Sequence, residues 1–231
     1  MTDTVPCETD TAPFGSSAPQ LVIFDLDGTL SDSADGIVAS FLSALEHVGV
    51  RAPDGDLAAQ IVGPPMDETM RAMGLGDLTD DAVAAYQTDY RARGWAMNAL
   101  YDGIPELLAD LRAAGIRLAV ATSKQEPTAQ RIVAHFGLDQ YFEVVAGADP
   151  NGSRKGKVEV LAHALSQLLP LPDRVLMVGD RLHDVEGAAA HSINTVVVGW
   201  GYGQSDFADG RSTSGVTHAA TMDELRKALG I

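Results

Sequence analysis

Short apolar runs rich in β-forming residues, helical stripes between them, and one long stretch with helical spacing alone predict an α/β fold. The expected architecture is a doubly wound, Rossmann-like parallel sheet carrying an inserted all-helical domain. The first run, Leu21-Val22-Ile23-Phe24, is too short for a helix and apolar at every position, as a strand buried on both faces must be. Similar runs recur at Arg117–Ala121, Phe142–Val145, Val175–Val178 and Thr195–Val198. Between them, Ile104, Leu107, Leu108 and Leu111 form a stripe ended by Gly115. Ile132, Val133 and Phe136 form a second, ended by Gly137, and Val158, Leu161, Leu165 and Leu168 a third. Thr221 and Glu224 fit a capping box that opens a last helix. The Gly/Ser/Asp-rich stretch from Gly199 to Gly215 reads as a long loop.

The alternation breaks between about Ser33 and Leu100. Ile37, Phe41, Leu42, Leu45 and Val48 keep helical spacing, as do Val83, Tyr86 and Tyr90, and no strand pattern intervenes. The expected organisation is therefore a tail over 1–18, a core built from 19–32 and 101–231, and a helical domain over 33–100. Met1 to Pro19 hold no Lys or Arg and no long apolar run, unlike a secretory signal. No stretch reaches the roughly 18 apolar residues of a membrane span. A single cysteine, Cys7, allows no internal disulfide, which suits a cytoplasmic location. The net charge of −16, from 16 Lys+Arg against 32 Asp+Glu, disfavours nucleic acid as a partner. It leaves open small anionic substrates in a locally cationic pocket.

Asp25-Leu26-Asp27-Gly28-Thr29 closes the first strand. Two carboxylates two residues apart point to the same side of an extended backbone. They repel unless a cation compensates, and magnesium is the natural cation for oxygen ligands beside a phosphate. Thr122-Ser123-Lys124 follows the second strand, where hydroxyls and backbone N–H groups can hold phosphate oxygens or cap the next helix. Lys155 and Lys157 precede a long helix, and either can bring an ammonium to the phosphate. Asp180 and Asp184, after the fourth strand, stand one helical turn apart.

Acid pair, hydroxyl pair, lysine and second acid pair at successive strand ends resemble the haloacid dehalogenase superfamily. The resemblance runs from about Gln20 to the end and includes the helical insertion, which looks like that superfamily's C1 cap. Val62-Gly63-Pro64-Pro65 and Gly199-Trp200-Gly201-Tyr202-Gly203 look most like the phosphoglycolate-phosphatase branch. The resemblance implies that Asp25 is the nucleophile and a metal ligand. It makes Asp27 the proton donor and acceptor, with its carbonyl on the metal. It gives Thr122 and Ser123 the phosphoryl oxygens, Lys157 the neutralising charge, and Asp180 the magnesium with Asp184 in support. Gly28, Thr29, Gly63, Pro64, Pro65 and Arg154 become expected substrate contacts.

The leading expectation is a magnesium-dependent phosphatase acting on a small phosphorylated metabolite or phosphoprotein through an aspartyl-phosphate. The whole chain also closely resembles a bacterial member of the superfamily assigned as a protein tyrosine kinase and partnered with a low-molecular-weight tyrosine phosphatase. That resemblance implies transfer from ATP to tyrosine, though no residue pattern marks an adenine site. A non-enzymatic phospho-acceptor would use Asp, Ser/Thr, Lys and magnesium too, but without a cap. Haloacid dehalogenation would leave Asp27 and the metal site superfluous. Gly147-x-x-x-x-Gly152 lacks the Gly-Lys-Ser/Thr of a phosphate loop, and the six histidines form no ligand pattern.

Overall fold

The computed structural model describes residues 18–149, 151–207 and 215–231. Cys7 and all but Ala18 of the expected tail over 1–18 lie outside them. Six parallel strands form the main sheet: β1 (Leu21–Phe24), β4 (Arg117–Gln125), β5 (Val144–Ala148), β6 (Val175–Gly179), β7 (Asn194–Val198) and β8 (Val216–Ala219). Their order is β5-β4-β1-β6-β7-β8. β1 pairs with β4 on one side and β6 on the other, so the chain leaves its two flanks in opposite directions. The crevice at its carboxyl end is where such sheets bind ligands.

The apolar run of β1 has one job per residue. Val22 and Phe24 face one layer, formed by α5 (Ile104–Ala113), α6 (Glu126–His135) and α9 (Met222–Leu229). Leu21 and Ile23 face the other, formed by α7 (Lys157–Gln167) and α8 (Leu182–Ala189). All four are fully buried, each worth about 1.5–3 kcal/mol. Phe24→Ala, which leaves a hole at the sheet centre, should cost about 3–5 kcal/mol.

Residues 34–92 hold α1 (Ala34–His47), α2 (Leu57–Ile61), α3 (Met66–Ala72) and α4 (Thr79–Ala92). They close around their own apolar cluster, including Ile37, Phe41, Leu45, Val62, Met70 and Tyr90. This is the cap. Its base carries a short antiparallel pair, β2 (Ser31–Asp32) and β3 (Ala99–Leu100), in the register Ser31 to Leu100 and Asp32 to Ala99.

The structure corrects several local expectations. β3 lies within the stretch expected to be helical throughout, and two residues are too few to show an alternation. β8 follows Gly215, where no strand was expected; its four residues are apolar only in part. β4 runs on through Thr122–Gln125, and β5 starts two residues later than its apolar run. Along α7 and its C-cap the buried stripe is Val160, Leu161, Ala164 and Leu168, and Val158 is exposed because it lies off that stripe. Leu42 likewise faces outward.

Candidate active site

Asp25 follows β1 directly, and its backbone N–H donates to the Val178 carbonyl at 2.8 Å. This places its carboxylate at the mouth of the crevice, 3% exposed. Lys157, in the first turn of α7, donates from Nζ to Asp25 Oδ1 at 2.8 Å and to the Ala121 carbonyl at 3.0 Å. The same ammonium lies 2.7 Å from Asp184 Oδ1. Lys155 instead pairs with Asp67 of α3 at 3.1 Å, on the wall of the cavity between core and cap. Between the two lysines the geometry is unambiguous.

Asp184 binds its own helix end. Its Oδ2 accepts from the N–H groups of Asp180 and Arg181 at 3.1 and 3.0 Å. It therefore caps α8 with one oxygen and faces Lys157 with the other. Asp180 Oδ2 accepts from the Tyr202 N–H at 2.7 Å, while its Oδ1 is buried with no hydrogen-bond partner. Oxygens of Asp25, Asp180 and Asp184 lie within 4.8 Å of one another.

Three buried carboxyl groups cluster here, two of them against one ammonium. Burial pushes the Asp25 carboxyl up, against the pull of Lys157. Burial, with Asp184 and Asp25 alongside, pushes Asp180 up to about 8. Asp184 moves down: burial pushes it up, but Lys157, His183 and its hydrogen bonds together outweigh that cost. Lys157 stays charged: both carboxylates overcome its desolvation and raise it. An excess of carboxyl groups over ammonium, an orphaned Asp180 oxygen and an all-oxygen donor set fit a hard divalent cation such as magnesium.

Close packing around Asp180 depends on two glycines. Gly28 has φ +79, and a Cβ there would overlap the Asp180 carboxylate. A Cβ on Gly201 would strike Asp180 and the Gly28 carbonyl. The loop after β7 can thus lie against the acid cluster. From it, Tyr202 accepts at its hydroxyl from the Ser33 and Ala34 N–H groups and donates to Asp32, tying the loop to the cap's base.

Asp27 lies on the cap side. Its Oδ2 is 2.9 Å from Lys124 Nζ, and its Oδ1 is buried without a partner. A cavity of about 480 Å³ opens beside it, between core and cap. Ser123, Lys124, Gly63, Pro64 and Pro65 line it, with Tyr86 and Tyr90 from α4. Thr122 is buried, its Oγ1 accepting from the Lys124 N–H at 3.3 Å. Neither Thr122 nor Ser123 caps α6, whose N-cap is Gln125. Gly63 sits near the His183 ring, and the neighbouring Val62 carbonyl accepts from Arg181 Nη1 at 2.6 Å.

Two expected substrate contacts fall elsewhere. Arg154 donates to the Gly147 carbonyl and pairs with Glu126, each at 2.7 Å, so its charge is spent bracing the end of β5 against α6. Thr29 is buried beneath Trp200, whose Nε1 donates to its carbonyl.

Residues 22–198 match the haloacid dehalogenase-like hydrolase family. The chain belongs to that family. It is 70% identical over 214 residues to the tyrosine-protein kinase PtkA of Mycobacterium tuberculosis, covering 93% of this chain and 74% of the relative. It is 35% identical to a 5′-nucleotidase of Pseudomonas aeruginosa, over 90% of this chain and 94% of the relative. The solved structure of M. tuberculosis PtkA superposes with a TM-score of 0.83, covering 93% of this chain and 99% of that one. A haloacid dehalogenase-like family hydrolase from Streptococcus pneumoniae, 27% identical, superposes with a TM-score of 0.80 over 90% and 98%. Phosphatases recur among the relatives of this dehalogenase-like hydrolase, including a phosphoglycolate phosphatase of Colwellia psychrerythraea at 30% identity. Among the described residues no helix is long and apolar enough to cross a membrane.

Sequence reasoning missed four residues that contact the acids or tie them to the cap: Lys124, Tyr90, Arg181 and Tyr202. Lys124 stood beside the hydroxyl pair, and its place in the strand's continuation was the available signal. Tyr90 belonged to a helical stripe that reads as core, and it is both core and cavity wall.

Proposed function

We propose that this chain hydrolyses phosphomonoesters through a phosphorylated Asp25, with magnesium held by Asp25, Asp180 and the Asp27 carbonyl, and Asp184 in support. The observation that carries this reading is the shared ammonium of Lys157, 2.8 Å from Asp25 and 2.7 Å from Asp184. It orients the nucleophile and opposes the rise that burial imposes on its carboxyl. Asp25 attacks phosphorus, and the leaving oxygen departs with a proton from Asp27. The Asp27 carboxylate then takes a proton from the water that cleaves the acyl-phosphate. Magnesium would neutralise charge on the transferring group. Thr122 and Ser123 supply donors at the end of β4, and the cap excludes bulk water.

Release of inorganic phosphate from p-nitrophenyl phosphate tests the reading. It should require magnesium, stop with EDTA and be absent in Asp25→Ala. Full turnover in metal-free buffer would sink the metal assignment.

The 70% identity to PtkA favours a second reading, transfer from ATP to tyrosine, with a low-molecular-weight tyrosine phosphatase as partner. Alkali-resistant phosphate on tyrosine after incubation with ATP, without monoester turnover, would put that reading first.

A further inference from the structure

Lys124 is a buried cation that the proposed chemistry does not use. It lies on β4, in the core, with its side chain 7% exposed. Its Nζ is 2.9 Å from Asp27 Oδ2 and donates to the Tyr90 hydroxyl at 2.7 Å. The ammonium also lies 4.6 Å from the centroid of the Tyr90 ring, within cation–π range. Tyr90 is on α4, in the cap, and its ring stacks on Tyr86 of the same helix at 5.6 Å. A single ammonium therefore joins the proton-transfer carboxylate to the cap.

We propose that Lys124 is a positioning residue that couples Asp27 to closure of the cap. Its contact with Oδ2 fixes the carboxylate and leaves Oδ1, buried and without a partner, as the oxygen for the proton. Tyr90 supplies the second contact that holds the ammonium there, and only with α4 seated on the core. With the cap lifted, Lys124 loses that partner and Asp27 loses its fixed orientation. Proton transfer to a leaving group then occurs only in the closed, water-excluded site. This inference rests on the phosphatase reading above.

The test compares two esters across wild type, Lys124→Met, Tyr90→Phe and the double variant. p-Nitrophenyl phosphate has a leaving group that needs little protonation, and glycerol 2-phosphate has one that needs a full proton. kcat/KM reports the step through departure of that group. Misplacing a general acid costs up to about 10²–10⁴-fold where a proton is needed. Lys124→Met should therefore lose on the order of 10²-fold on glycerol 2-phosphate and about tenfold or less on the aryl ester. Tyr90→Phe should lose severalfold, with the same preference. The double variant should match Lys124→Met, because Tyr90 acts only through the lysine.

Tyr90→Phe removes one oxygen and keeps the ring, so it carries the test even if Lys124→Met fails to fold. Equal losses on both esters, or effects of the two substitutions that multiply, would overturn the coupling while leaving the phosphatase reading intact. Wild-type turnover of neither ester would overturn both.

Discussion

Two lysine–aspartate pairs sit at the end of the central strands, and they differ in what holds them. Lys157 meets Asp25 and Asp184 through core elements alone: β1, α7 and α8. Lys124 meets Asp27 within the core but takes its other partner, Tyr90, from the cap. The first pair is independent of where the cap lies; the second is complete only with the cap in place. On the proposed mechanism, charge neutralisation then rests on core elements alone, whereas proton transfer is conditional on closure.

Lys157→Met should sharpen that contrast most. Loss of the neutralising cation should lower kcat/KM about 10²–10³-fold. The fall should be similar for aryl and alkyl esters, unlike that of Lys124→Met. A selective loss on the alkyl ester would erase the distinction between the pairs. Next in size is Gly201→Ala, which drives a methyl group into Asp180. Overpacking of this kind costs about 1–3 kcal/mol, visible as a lower Tm and weaker magnesium protection. A Tm equal to wild type would mean that the loop is free to move.

The pH response comes third. Asp180 holds its proton up to about 8 in the folded chain, against 3.8 as its ordinary value. Its contribution to stability is fully present below about 3.8 and is lost as pH rises through 8. Chelator-treated protein should therefore lose Tm between pH 5 and pH 8. Magnesium competes for the ionised carboxylates, so it should restore more at pH 8 than at pH 5. Equal protection at both values would contradict the acid cluster as the metal site. Smallest is Lys155→Ala. Its pair with Asp67 is about half exposed on the lysine side, and such pairs are worth about 0–1 kcal/mol. Activity should change less than about fivefold.

The core was legible because β1, β6 and β7 are buried on both faces and must be apolar at nearly every position. The acids were legible because Asp25, Asp27, Asp180 and Asp184 follow those strands closely in the chain. Lys157 could be favoured over Lys155 only by resemblance, since both precede the same helix; two residues of offset turned one inward and the other to Asp67. What stayed hidden were contacts between distant segments. Tyr90 and Lys124 are 34 residues apart, and Arg181 and Val62 are 119 apart. Neither pair leaves a local pattern. Arg154, expected from the resemblance to meet substrate, instead meets the Gly147 carbonyl and Glu126, and neither distant partner leaves a local pattern. β2, β3 and β8 are too short or too mixed to announce themselves by periodicity.

The central claim is that Asp25 carries the phosphoryl group, and trapping it is the most direct test. Asp27→Asn keeps the backbone carbonyl but cannot activate water, so the intermediate formed from p-nitrophenyl phosphate should accumulate. Acid quenching, intact-mass measurement and peptide mapping should show one phosphate on Asp25 in Asp27→Asn and none in Asp25→Ala. A phosphate adduct that persists in Asp25→Ala, or that maps to Ser123, would contradict the account.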